Sequence, residues 1–319
     1  MDNLKLDCTL AYLNEGIIIN EFDMLVESVN NEIGNFSNIT ESLEIVNEGK
    51  VIDAIITFIK NIAGKIKTAC ERIASAIKSF FQKSKVQEKM IEDKAAKVEK
   101  KEDITETEKG KEAIEHVQDR TEKFVQDMAE TFKDSNDSKP VKTETIKKGT
   151  NDLFILEWHF DHSNIDNTIK AIEQNISVIK DFLIYRTPGN VVDIPDWSWN
   201  NSFKMRAINA NDFIDISNIK KQYESINKYM SELEKSINNA KQLGIDIENL
   251  IPIAEKKLNE DGNNEDRTKD LNFTKERLSN LSADISSVLN DLGKISSNAV
   301  KAKQFATQNY NIILSVYGE

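Results

Sequence analysis

Apolar side chains return at every third or fourth position along most of this chain, and that spacing confines it to helices. Between positions 50 and 84, Ile52, Ile55, Ile56, Ile59, Ile62, Ala63, Ile66, Ala69, Cys70, Ile73, Ile77, Phe80 and Phe81 follow the i, i+3, i+4, i+7 pattern. Only an α-helix gathers such positions on one face. Lys60, Lys67, Arg72, Lys78 and Lys85 lie away from the stripe. Gly64 interrupts it, costs about 1 kcal/mol relative to Ala in a helix interior, and marks a candidate bend.

The same spacing reappears in the C-terminal third. Ile216, Ile219, Tyr223, Ile226, Met230, Leu233, Ile237 and Ala240 alternate in steps of three and four, as do Leu271, Thr274, Leu278, Leu281, Ile285, Val288, Leu292 and Ile295. Two such seams joined by a short helix near 247–260 predict antiparallel coiled-coil packing of 214–240 on 268–317, with Ile226 and Leu281 buried. Further helices are predicted over 111–133, 165–185 and 294–317, and in the leader at 18–33 and 40–47. With 11 Gly and 4 Pro in 319 residues, the chain lacks the turn formers that a many-stranded β protein needs. The predicted fold class is therefore all-α: an elongated helical bundle with an antiparallel coiled-coil C-terminal part. Three stretches escape the pattern. The run Leu153 to Phe160 reads as a strand or the start of a buried helix. Residues 94–111 read as a solvated helix or a linker. Residues 187–211, with Pro195, Trp197 and Trp199, read as an irregular insert.

Charge divides the chain where periodicity does not. The net charge is −12, but residues 1–48 carry −9 and residues 49–85 carry +6. An acidic leader thus adjoins a basic amphipathic helix. The predicted organisation is a leader at 1–48, a basic helix and charged helical region at 49–134, a linker at 135–150, and a helical bundle at 151–319. Cys8 and Cys70 make no disulfide framework, which favours a reducing compartment. The first residues lack the basic and apolar regions of a secretory signal, and no 18-residue apolar run predicts a membrane span.

Chemistry-bearing patterns are few. His159-Phe160-Asp161-His162 lacks the converging Cys or further His that a zinc site needs. Asp261-Gly262-Asn263-Asn264-Glu265-Asp266 misses the Gly and Glu positions of a calcium loop and reads as a turn between helices. Trp197 and Trp199 have no Lys or Arg nearby and read as anchors of their insert. The sequons at Asn35 and Asn38 are expected by chance in a chain with 33 Asn. No phosphate-binding glycine loop, dinucleotide fingerprint, zinc-protease motif or serine-nucleophile elbow occurs. The expectation is a protein without enzymatic activity, metal or cofactor.

Two short motifs remain, Leu13-Asn14-Glu15-Gly16 and Val46-Asn47-Glu48-Gly49. Each sets an aliphatic residue, a small polar residue, Glu and Gly in a row. This resembles the cleavage pattern of prohead proteases in T-even-like tailed bacteriophages, which cut after Glu. Val46 departs from the Leu or Ile of that pattern; Leu13 matches it. Internal head proteins of such phages begin with a leader that the protease removes. The resemblance implies a virion protein processed at Glu48–Gly49, with Glu15–Gly16 as a nested site. It implies assembly in the host cytoplasm, with capsid or other virion proteins and the protease as partners.

The basic helix has three readings. Its stripe is a protein core; or Lys60, Lys65, Lys67, Arg72 and Lys78 bind phosphates of DNA; or they meet an anionic membrane while the stripe enters it. The last reading makes the chain a membrane-active helical protein of the pore-forming type that inserts residues 50–84. A cytosolic coiled-coil adaptor, self-associated or not, is the further alternative.

Overall fold

The computed structural model describes residues 24, 27, 31, 48–98, 103–131, 150–159, 163–195, 203–259 and 264–317. The elements, in chain order, are α1 (Glu48–Ala96), α2 (Glu108–Thr131), β1 (Asp152–Trp158), α3 (Ser163–Tyr185), β2 (Phe203–Asn209), α4 (Ile216–Glu248), α5 (Ile251–Lys257) and α6 (Asn264–Leu314). Single 3-10 turns follow β2 and α6, at Ala210–Asp212 and Ser315–Tyr317. The whole is an elongated helical bundle carrying a two-stranded antiparallel sheet. Its 51-residue helix α6 reaches about 75 Å at 1.5 Å per residue.

Helix α1 runs further than its stripe predicted. Ile91 and Ala95 are buried and carry the apolar face beyond position 84. Gly64 lies inside the helix with open space around it, so it serves no close approach. Helix α6 runs unbroken through Gly293, which is buried. The predicted break at 294 is therefore corrected: the apolar pattern on either side is in one register.

The central packing is α1 on α4. Lys67 pairs with Glu248 at 2.8 Å, Glu71 with Lys241 at 2.8 Å, and Glu92 with Lys220 at 4.0 Å. Rising numbers on one helix meet falling numbers on the other, so the two are antiparallel over residues 67–92 and 220–248. Gly244 permits the approach: a Cβ there would sit 2.9 Å from Lys67 Cγ and 3.1 Å from the Ala63 carbonyl oxygen. Between the helices, Ile55, Ile59, Ile62, Ile66, Ile73 and Ile77 are at most 1% exposed. Each buried Ile contributes about 1.5–3 kcal/mol of hydrophobic stabilisation.

The predicted partner of α4 was the segment 268–317. Helices α4 and α6 do pack antiparallel, since Tyr223 meets Thr307 and Gln222 meets Tyr310. Ile226 and Leu281 are both buried. Yet α4 lies along α1 more extensively than along α6. Heptad stripes on three helices are alike in composition, and spacing alone does not say which two face each other. One continuous hydrophobic cluster from Ile52 to Leu314 joins the helices on both sides of 135–150.

A two-stranded sheet is added to the expected helical bundle. β1 takes the apolar run at Leu153, and β2 falls inside the stretch read as irregular. They pair antiparallel from Asp152 opposite Asn209 to Trp158 opposite Phe203. Leu153, Phe154, Ile155 and Leu156 are all buried, so β1 is covered on both faces. Helices α2 and α4 lie against it. Most of the leader, Phe160-Asp161-His162, Trp197 and Trp199, and Asp261-Gly262-Asn263 lie outside the described residues; within the leader, Met24, Glu27 and Asn31 are helical and exposed.

Candidate functional site

The sequence nominated two places, the leader junction and the cations of α1. Glu48 opens α1, and Gly49 and Lys50 are exposed in its first turn. First-turn amides have no carbonyl partner within the helix, so this bond sits where a helix opens most easily. Glu15 and Gly16 lie outside the described residues.

The cations do not form one surface. At 100° per residue, Lys60, Lys67 and Lys78 fall on one flank of the buried stripe, and Lys65 and Arg72 on the other. Lys60 holds Glu255 of α5 at 2.9 Å and Lys67 holds Glu248 of α4 at 2.8 Å. Lys65 and Arg72 are engaged as well, while Lys78 is exposed. Part of the positive charge is thus paired at the surface with the bundle's own carboxylates.

The membrane-active reading is overturned here. The Ile and Phe residues that would enter a bilayer form the protein core against α4. Among the described residues no helix is long and apolar enough to cross a membrane. The stripe of 50–84 is a packing face.

The structure adds a site that the sequence reading passed over. Lys303 of α6 is 1% exposed. Its Nζ is ion-paired with Glu88 of α1 and donates to Asn227 Oδ1 of α4 at 2.7 Å. The Asn227 amide nitrogen turns back to the Glu88 carboxylate at 3.3 Å. The Phe81 and Tyr223 rings flank the ammonium at 5.1 and 5.8 Å, a distance at which ring quadrupoles attract a cation. Burial lowers the Lys303 pKa, and Glu88 opposes that shift.

One turn on, the Tyr223 hydroxyl meets Thr307 Oγ1 at 2.9 Å, and Tyr310 donates to Gln222 Oε1 at 2.6 Å. Burial pushes the Tyr223 phenol up, beyond any working pH. A polar seam therefore closes the junction of α1, α4 and α6. It has the parts of an acid–base site but no exposure to admit a substrate. Its buried contacts tie α1, α4 and α6 together. A Lys at position 303, between Ala302 and Ala306 on the predicted inner face, was the signal for it.

Other titratable groups are equally committed. Burial raises the Cys70 thiol to about 12, which makes it inert. No group of three or more His, Cys, Asp or Glu among the described residues is placed to hold a metal; His159 is exposed and lies at the end of β1. Neither a family model, nor a curated protein, nor a solved structure matches the chain.

Proposed function

We propose that the chain is a non-enzymatic structural protein of a tailed-bacteriophage head, made with an acidic leader that a head protease removes at Glu48–Gly49. The supporting observation is that three boundaries meet at one bond. The charge changes from −9 to +6 there, the cleavage-like motif spans it, and among the described residues the buried core begins at Ile52. A cut at that bond leaves every residue of the core from Ile52 to Leu314 on one fragment. It also reduces the net charge from −12 to −3.

In this reading the protein assembles in the host cytoplasm and resides in the virion. Capsid or other virion proteins and the protease are its partners. The outward cations of α1 are available to DNA phosphates, and the α4–α6 pair serves as a coiled-coil spacer.

The test is the mature N-terminus. Mass spectrometry of protein taken from its natural assembly should find a chain starting at Gly49, and Glu48→Gln should retain the leader. An intact Met1 or Asp2 terminus in the mature particle overturns the proposal.

A further inference from the structure

The two strands differ in what their outer edges meet. The Ala210 N–H donates to the Asn151 carbonyl at 2.8 Å, and bonded pairs alternate along an antiparallel ladder. Leu153 with Ile208, Ile155 with Arg206, and Glu157 with Lys204 are therefore the bonded pairs of this register. The residues between them aim N–H and C=O away from the partner strand. On β1 those outward groups are met at both ends. Gln118 donates to the Asp152 carbonyl at 2.8 Å, and the Trp158 N–H donates to Ser225 Oγ at 3.1 Å. Phe154 and Leu156 between them have no such partner among the described residues. On β2 the outward groups belong to Phe203, Met205, Ala207 and Asn209, and at neither its ends nor its middle does the backbone have a hydrogen bond beyond the ladder among the described residues. Ala207 is exposed and Met205 half-buried.

An open strand edge is a template for another extended chain. The side chains around this one specify its charge. Glu157 accepts from Lys221 at 2.9 Å and from Arg206 at 3.0 Å. The Lys221 hydrogen bond first, and Arg206 after it, hold the carboxyl below its usual range. Lys204 is exposed, with no ion-pair partner among the described residues. Two cations thus hold one carboxylate, and a third, Lys204, stands opposite it in the ladder. The other face of the strand offers the small apolar surface of Met205 and Ala207.

We propose that the outer edge of β2 takes an extended acidic peptide of a partner protein as a third strand. Carboxylates at alternate positions of that peptide lie over Lys204 and Arg206, and small apolar residues lie over Met205 and Ala207. A second copy of β2 suits the edge less well. Two-fold pairing of the strand with itself about its centre sets Arg206 against Arg206 or against Lys204, and like charges directly opposite are destabilising.

Ala207→Pro tests the edge without breaking the sheet. Its N–H points outward, so proline removes the free donor, sets a ring in the path of an incoming strand and leaves the ladder bonds in place. The probe is an eight-residue peptide of alternating Glu and Val, titrated against the full chain beside its Lys–Val counterpart. The Glu–Val peptide should bind and slow amide exchange at Met205 and Ala207. Ala207→Pro should weaken it at least about tenfold, and Lys204→Glu should weaken it several-fold. Failure of the Glu–Val peptide to bind the natural chain overturns the proposal. So does equal binding by the Lys–Val peptide, or by Lys204→Glu, which keeps the backbone intact should the proline variant melt early. Self-association of the natural chain that Ala207→Pro abolishes would assign the edge to a second copy instead.

Discussion

Along α4, residues 233–247 and residues 222–230 meet different chemistry. The first set, Leu233, Ile237, Ala240, Leu243 and Ile247, is buried against the isoleucines of α1. The second set brings Gln222, Tyr223 and Asn227 to Glu88, Lys303, Thr307 and Tyr310. The dry part supplies most of the buried apolar area, and its stabilisation scales with that area. It is poor at choosing a register, because a one-turn slide sets Ile against Ile again. The polar part adds little net stability, since desolvating Lys303 and Glu88 offsets most of their attraction. A slide there strands a buried ammonium. Mass and alignment are thus supplied by opposite ends of one helix.

The sharpest way to break the comparison is a charge in the dry seam. Ile237→Asp, at a position 1% exposed, should cost upwards of about 4 kcal/mol, because a carboxylate there replaces apolar packing with an unpaired charge. An unchanged melting temperature would disprove the seam. Next comes the polar seam. Glu88→Ala should cost about 3 kcal/mol in urea unfolding by leaving Lys303 unpaired. The double variant Glu88→Gln with Lys303→Met should recover most of that loss. If the double variant is as unstable as the single, the pair contributes net stability and not register alone.

The glycines come third. Gly110→Ala would place a Cβ 1.9 Å from the Ile104 carbonyl oxygen. That oxygen belongs to a tight loop in which the Ile104 N–H is held by Asn211 and Thr107 caps the Gly110 N–H. The backbone cannot step aside, so a loss of about 2 kcal/mol is expected. Gly64→Ala should do the reverse and stabilise by about 0.5–1 kcal/mol. Equal effects at the two positions would contradict the packing described for both.

Asp291 offers the most pH-specific effect. Burial raises its pKa from 3.8 to about 6. Between those values the folded chain holds more protons than the unfolded one, so this group's contribution falls as pH rises. It is most favourable below about pH 4 and fully lost above about pH 6. Asp291→Asn should therefore gain as much as about 3 kcal/mol at pH 7 and next to nothing at pH 3.5. A gain that is the same at both pH values would show that the carboxylate is already solvated.

Much of this architecture is written in the spacing of isoleucine. The faces of α1, α3 and α4 lie where the periodicity puts them, from Ile52 to Ile247. The choice of partner was not legible. Stripes made of the same residue are interchangeable on paper, and α1 met α4 where α6 was expected. β2 escaped notice because Phe203–Asn209 buries only Phe203 fully and so shows no strong alternation. The Glu88–Asn227–Lys303 seam was visible as single polar residues near apolar stripes. Nothing in the order of residues says that positions 88, 227 and 303 share a corner. The two nominated cation flanks of α1 looked like one surface only until the helical turn was counted.

The antiparallel match of α1 with α4 also governs the order in which the chain is made. Lys67 and Glu248 are 181 positions apart, so at about 5–20 residues per second the ribosome needs on the order of ten to forty seconds to deliver the second after the first. Through that interval the isoleucine face of α1 has no native partner. Contacts of such high order come late and slow the folding of the domain. Newly made α1 is accordingly the segment that needs shielding, and the nascent chain should be most prone to clump while it ends between positions 100 and 220. Ribosome-bound chains stalled in that range should bind a hydrophobic dye strongly, and release it once α4 has emerged.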